Sequence, residues 1–187
     1  MRKLKLQVQI SIDGYIAGPN GEMDWMIWNW DDELNQYVTQ LTEPVDLILL
    51  GRKLAEGFID AWASMASNPD TADAGAHKMN DTPKVVFSHT LKEVQWPRTR
   101  LAQEDLVTEI TKLKSQEGKD IIAYGGATFV SSLIENDLID EYHLLLNPSA
   151  LGAGLPIFKD KSNFRLIHST AFPCGIVALK YQRIPNS

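Results

Sequence analysis

The chain predicts an α/β sandwich built on a mixed sheet. Short runs with the period of a strand alternate with segments of helical period, and two further strand-like runs close the chain with no helix between them. Its 187 residues suit one compact domain, taken as 1–187, because two domains of half that size would each bury too little surface.

Leu4, Leu6, Val8, Ile10 and Ile12 alternate with Lys5, Gln7, Gln9, Ser11 and Asp13, so a first strand with one apolar face runs up to Gly14. A central strand normally buries both sides. The polar face of Gln7, Gln9 and Ser11 therefore lines a pocket or meets a subunit interface. Asp31 to Thr42 reads as a helix: Asp31, Asp32 and Glu33 suit its first turn, and Leu34, Tyr37, Val38 and Leu41 share a stripe. Val45 to Leu50 is a buried strand closed by Gly51, and Arg52 to Ile59 a short helix. Between Ala63 and Pro83 small and polar residues dominate, which predicts a loop or lid.

Lys84 to Ser88 is the next strand, and Glu104 to Gln116 an amphipathic helix with Leu106, Val107, Ile110 and Leu113 on one face and Gly118 as its cap. Ile121 to Tyr124 is a buried strand, Gly125-Gly126 a tight turn, and Ala127 to Asn136 a helix. Asp140 to Asn147 is a strand stopped by Pro148, with Asp140 and Glu141 read as a surface pair at its start. After the Gly152/Gly154 loop, Arg165 to Thr170 and Ile176 to Arg183 form an antiparallel hairpin around Pro173 and Gly175.

A formal net charge of −6 argues against nucleic acid as a partner, since a phosphate backbone demands a concentrated basic face. No run approaches the roughly 18 apolar residues of a membrane span. Met1 to Leu6 is basic, but the polar residues that follow deny it the apolar centre of a signal peptide, so a cytoplasmic protein is expected. The single Cys174 and four scattered His leave no disulfide and no common zinc framework. Chemistry here rests on a borrowed cofactor or on bare acid/base groups.

The strongest local signal is the strand Ile121 to Tyr124 feeding a helix through Gly125 and Gly126. Such a turn offers free N–H groups and the positive helix end to an anion; a βα turn that needs glycine for its backbone angles alone is the alternative. A second turn, Leu49-Leu50-Gly51-Arg52-Lys53, puts two cations where they oppose the helix dipole; a nearby anion explains them, and two solvated surface charges are the alternative. A third, Val86-Phe87-Ser88-His89-Thr90, ends a strand in small hydroxyls. Together the three strand ends suggest one dinucleotide lying across the carboxyl edge of the sheet.

Ser11-Ile12-Asp13-Gly14-Tyr15-Ile16-Ala17, Gly51-Arg52-Lys53, Gly125-Gly126-Ala127-Thr128, the run Leu138 to Leu144, Pro148 and Leu151-Gly152-Ala153-Gly154 occur in an order that resembles the dihydrofolate reductase-like superfamily. The likeness is to the group containing the C-terminal reductase domain of the bifunctional riboflavin-biosynthesis deaminase-reductase, and it runs from Leu4 to about Arg183. It implies a three-layer dihydrofolate reductase-like sandwich with a mixed, mostly parallel central sheet and a C-terminal antiparallel hairpin. It also implies NADPH as cofactor: Gly125, Gly126, Ala127 and Thr128 around the pyrophosphate, Gly51, Arg52 and Lys53 near the adenosine-half phosphates, Ser88 and His89 beside the adenosine, and Ala17 at the nicotinamide. Arg52 selecting the 2′-phosphate would favour NADPH over NADH.

Met23-Asp24-Trp25, Glu33-Leu34 and Tyr37 also resemble the active-site loop and first helix of dihydrofolate reductase, with Met26 to Trp30 as an insertion. Glu33 is then the counterpart of a pterin-orienting carboxylate, with Asp32 as a neighbouring choice and a helix-starting acidic cluster as the other reading. Trp25 and Tyr124 are expected in the substrate pocket; Trp25, Trp28 and Trp30 either line it or pack the loop. Asp13 and Glu33 are the candidates for supporting proton supply, Asp13 alternatively capping its Asp-Gly turn. Tyr124 stands where riboflavin-committed members carry Glu, the Thr-Val…Asp-Asn-Pro segment is missing, and the deaminase zinc site is absent. The expected activity is hydride transfer from NADPH to a small heterocyclic or ribosylaminopyrimidine-like substrate, of the 5-amino-6-(5-phosphoribosylamino)uracil reductase type. The rivals are a dihydrofolate reductase-type activity and a dinucleotide-binding protein without turnover. The C-terminal hairpin at a sheet edge predicts a homodimer.

Overall fold

The computed structural model describes residues 1–184; residues 185–187, the end of the expected domain, lie outside it. Strand β1 (Leu4–Ile10) sits near the middle of an eight-stranded sheet with β3 (Val45–Gly51), β4 (Lys84–Phe87), β5 (Thr99–Leu101), β6 (Asp120–Tyr124), β7 (Glu141–Leu146), β9 (Phe164–Ala171) and β10 (Val177–Arg183). The order is β5-β4-β3-β6-β1-β7-β10-β9; the first six run parallel, and the β9/β10 hairpin joins antiparallel through β10. A two-stranded ribbon, β2 (Tyr15–Ala17) with β8 (Leu155–Pro156), stands apart from the sheet.

Strand alternation divides the core. Leu4, Leu6, Val8, Ile10, Leu49, Ile121 and Ala123 pack on one face against Ile110 and Leu113 of α4 (Leu106–Ser115) and Val130, Leu133 and Ile134 of α5 (Ala127–Glu135). On the other face, Ile48, Leu50, Val86 and Ile122 meet Leu41 of α1 (Asp32–Thr42), Ala55 and Ile59 of α2 (Arg52–Ser67) and Met79 of α3 (Ala74–Asp81). Leu34 of α1 extends that layer onto Leu145 and Ala178. Each fully buried Leu or Ile contributes roughly 1.5–3 kcal/mol, so these two apolar layers supply most of the driving force.

The expected strands and helices form within a residue or two of their anticipated bounds, with one substantial correction. Helix α2 continues to Ser67 and α3 follows, so the expected loop or lid across Ala63 to Pro83 is largely helical. Ala55, Ile59, Trp62 and Ala66 keep the 4-3-4 spacing of a helix face, and Phe58 stacks edge-on with Trp62 at 6.1 Å. Alanine-rich sequence reads as bland, yet alanine is the strongest helix former. Asp73 then opens α3 by accepting from the Ala76 N–H. Among the described residues no helix is long and apolar enough to cross a membrane.

Candidate active site

The carboxyl ends of β1, β3, β4, β6 and β7 share one edge. From β3 the chain leaves into α2 on one face, and from the neighbouring β6 into α5 on the other. This divergence opens a crevice between the two strand ends, the place where open α/β sheets bind ligands.

Helix capping singles out the same place. Helices α1, α3 and α4 begin at Asp31, Asp73 and Asp105, whose side chains accept from Leu34, Ala76 and Thr108 N–H. Helices α2 and α5 begin at Gly51 and Gly126, with no acid in the first turn and, among the described residues, no side-chain cap. Two adjacent strand ends thus present unclaimed N–H donors and the positive ends of two helix dipoles, which suits a pyrophosphate.

The glycines there have different causes. Gly126 has φ +88°, which L side chains rarely adopt. A Cβ on Gly51 would lie 2.8 Å from Phe129 Cβ, so glycine is needed there for α5 to pack on β3. A Cβ on Gly125 would meet only Ile16 and Leu54 methyls at 3.9 Å, so packing makes no demand for glycine. The space over this backbone is open to a ligand. These features together fit a dinucleotide.

Of the remaining expected cofactor residues, Arg52 lies at the start of α2 with its guanidinium 2.8 Å from Glu56. Lys53 is exposed beside it. The Ser88 hydroxyl accepts from Thr90 and Leu91 N–H and shapes the turn after β4; His89 is exposed on that turn. Ala127 and Thr128 form the first turn of α5. Ala17 ends β2, where its carbonyl lies so close to Gly154 that no Cβ fits there.

Asp13 accepts from Leu151 N–H and Gly152 N–H, the latter at 2.7 Å, and from the Ser11 hydroxyl at 2.7 Å. The Ser11 bond first, then the two backbone donors, hold its carboxyl down at about 2. Asp13 is therefore a fixed anion that pins the 149–154 loop over the end of β1. Glu33 is exposed on the first turn of α1, as is Asp32, so neither is sheltered as a pterin-orienting carboxylate would be. Asp31 is committed to its cap and to the Cys174 N–H at 2.8 Å.

Strand alternation puts the Tyr124 ring on the Ile122 side against Phe58 at 5.3 Å, and its hydroxyl reaches the Met79 sulfur at 3.8 Å. Burial pushes that hydroxyl far above the usual tyrosine range. The hydroxyl faces α3, so only the ring is left to border a pocket at this strand end. Trp25 is half-buried in the loop before α1, its indole N–H donating to Glu22 O, and Trp30 similarly donates to Ile27 O. Trp28 is 63% exposed and packs little.

Two features were missed from the sequence. Asn147, fully buried at the end of β7, accepts from Ile27 N–H at 2.8 Å and donates to Gln9 Oε1 at 3.0 Å, tying the tryptophan loop to the sheet. Glu141, expected at the surface, is 4% exposed and bonds Lys3, Lys180 and His143. The His143 bond leads in pulling its carboxyl below the normal range; desolvation opposes, and the two lysines assist. Burial lowers His143, so its neutral ring donates through Nε2 to Glu141 and accepts at Nδ1 from the Tyr37 hydroxyl at 3.0 Å. The signal was the run of polar residues on one strand face, Lys5, Gln7 and Gln9, which calls for polar partners across the layer.

The profile of the RibD C-terminal domain matches residues 2–178. YyaP of Bacillus subtilis (strain 168), an uncharacterised protein, is 32% identical over 186 residues, covering 96% of this chain and 94% of its own. A protein assigned to riboflavin biosynthesis from Shewanella sp. PV-4 superposes with a TM-score of 0.73 at 24% identity, covering 98% of this chain and 99% of that one. The deaminase/5-amino-6-(5-phosphoribosylamino)uracil reductase of Thermotoga maritima gives 0.68 at 14% identity, covering 98% of this chain and 57% of the longer one. Dihydrofolate reductase of Enterococcus faecalis, solved with NADP(H), gives 0.65 at 13% identity with 98% and 97% coverage, which shows the shared dihydrofolate reductase-like fold.

Proposed function

The chain belongs to the RibD C-terminal domain family, and from that premise we propose that it is an NADPH-dependent reductase acting on a small heterocyclic, ribosylaminopyrimidine-like substrate. The observation that carries this reading is the pair of glycine-started, uncapped helices at neighbouring strand ends. When bound, NADPH supplies the hydride. The first-turn N–H groups of α2 and α5 hold its pyrophosphate, Gly125 and Gly126 let it approach the backbone, and Arg52 and Lys53 take the adenosine-side phosphates. Ser88 and His89 border the adenosine, and Ala17 with the end of β1 borders the nicotinamide.

The chain's own contribution is to fix the acceptor carbon beside that edge and to limit water there. Asp13 holds the 149–154 loop, and Asn147 holds the Trp25 to Trp30 loop, so both sides of the cleft are tied to β1. Asp13, bonded to the loop N–H groups, orders water at the end of β1, and that water supplies the proton. The exposure of Glu33 also disfavours a folate substrate oriented by that carboxylate. The same proposal includes a homodimer: β9 is an edge strand exposed from Arg165 to Ser169, with Leu166 and Ile167 50% and 42% exposed, and light scattering should give twice the monomer mass.

Titration with NADPH should quench tryptophan fluorescence and raise the melting temperature, and Arg52→Ala should weaken NADPH more than NADH. Absence of both binding signals overturns the proposal. Equal losses for the two cofactors remove Arg52 from its role.

A further inference from the structure

We infer that Gln9 is the specificity residue of the substrate cleft, set by Asn147 to donate a hydrogen bond to an acceptor on a flat heterocycle, a ring carbonyl of the pyrimidinedione type. The inference rests on the reductase reading for what enters the cleft. It starts from a backbone group whose polarity is fixed. Ile27 N–H can only donate, and it points at Asn147 Oδ1 from 2.8 Å. At the other end of the same amide, Nδ2 lies 3.1 Å from Leu145 O, which can only accept. Two independent partners therefore set the Asn147 amide one way round.

Asn147 is 0% exposed, so it has no room to turn over. Its Nδ2 also lies 3.0 Å from the side chain of Gln9, and because Nδ2 donates, the Gln9 atom facing it is the oxygen. The Gln9 Nε2 group is consequently turned away from Asn147 with two N–H bonds. Among the described residues Asn147 is the one hydrogen-bond partner of the Gln9 side chain, and it engages the oxygen.

The position of Gln9 gives that donor a use. It lies one residue from the end of β1 and is only half-buried, on the sheet face that carries α1 and α2. In the β1/β6 register Gln7 pairs with Tyr124, so two residues further along Gln9 stands level with the Gly125-Gly126 turn. A pinned amide donor at the carboxyl end of β1 reads an acceptor and rejects a donor, because two facing N–H groups leave both unpaired.

Uracil and 2,4-diaminopyrimidine test this as probes of one ring shape with opposite exocyclic chemistry, carbonyl acceptors against amino donors. Binding of each to NADPH-loaded protein should favour uracil in the wild type by about tenfold. Gln9→Glu keeps one oxygen on Asn147 Nδ2 and turns the other, an acceptor, toward the cleft, so it should reverse the preference. Gln9→Leu should abolish the preference without reversing it, which guards against a Gln9→Glu chain that folds poorly. Variants that bind NADPH yet keep the wild-type preference overturn the inference and leave the reductase reading standing, as does a wild type that binds NADPH but neither ring. Loss of NADPH binding by the wild type itself would instead overturn the reductase reading and this inference with it.

Discussion

Gly125→Ala separates what the fold needs from what a ligand needs. The added methyl would meet Ile16 Cδ1 and Leu54 Cδ2 at 3.9 Å, ordinary van der Waals contact, and Gly125 is not among the residues with positive φ. Nothing in the folded chain opposes the substitution, and the lower entropy of the unfolded alanine chain favours it by about 0.4–1 kcal/mol. Stability should therefore hold or rise slightly. If the pyrophosphate lies against this backbone, the same methyl occupies its space, and losing a hydrogen bond to a charged phosphate oxygen, about 1.5–3 kcal/mol, weakens NADPH at least about tenfold. Denaturant unfolding reads the first quantity and NADPH titration by tryptophan fluorescence the second. A loss of more than about 2 kcal/mol would show that packing demands the glycine. Unchanged NADPH affinity would show that the dinucleotide does not pass this turn, and the site assignment would fall.

Three further outcomes follow from the same structure. Gly51→Ala should lose about 1–3 kcal/mol in denaturant unfolding, because its Cβ would lie 2.8 Å from Phe129 Cβ and α5 must give way; an unchanged midpoint would contradict the close approach. Gln7→Leu should stabilise the chain by about 1 kcal/mol, since Gln7 Oε1 is buried without a hydrogen-bond partner among the described residues; a lower melting temperature would show that the oxygen is in use. Both His143 and Glu141 are lowered in the folded state, so their contribution is present above their ordinary values near 6.5 and 4.5 and is lost as pH falls through the folded ones. Melting temperature should therefore fall as pH drops below about 6.5, and a Glu141→Gln, His143→Gln pair of changes should flatten that fall; an equally steep profile would refute the network's role.

The alternation of Leu4 to Ile10, the Asp31 cap and the β6-Gly125-Gly126-α5 turn were legible because each depends on neighbours in the chain. Helix α2 beyond Ile59 was not, since its small residues carry little hydrophobic contrast although they keep the helical spacing. The short strands β2, β5 and β8 exist only through partners distant in sequence, such as Ala17 against Leu155. At the site, residue types were readable but directions were not. Asp13 is spent on the 149–154 loop and Tyr124 on Met79, and neither partner is adjacent in the chain. Asn147 looked like the ordinary end of a strand, and only the folded loop before α1 shows what it holds.

The place proposed for the dinucleotide is the β3/β6 crevice, on the N-termini of α2 and α5. Backbone amide chemical shifts followed by NMR during NADPH titration test it most directly. The largest changes should fall on Arg52 and Lys53 and on Gly125 to Thr128, with smaller ones at Ala17, Ser88 and His89. Shifts absent there, or gathered instead at the aromatic cavity of Tyr142, Phe158, Phe164 and Tyr181 by β7, β9 and β10, would contradict it.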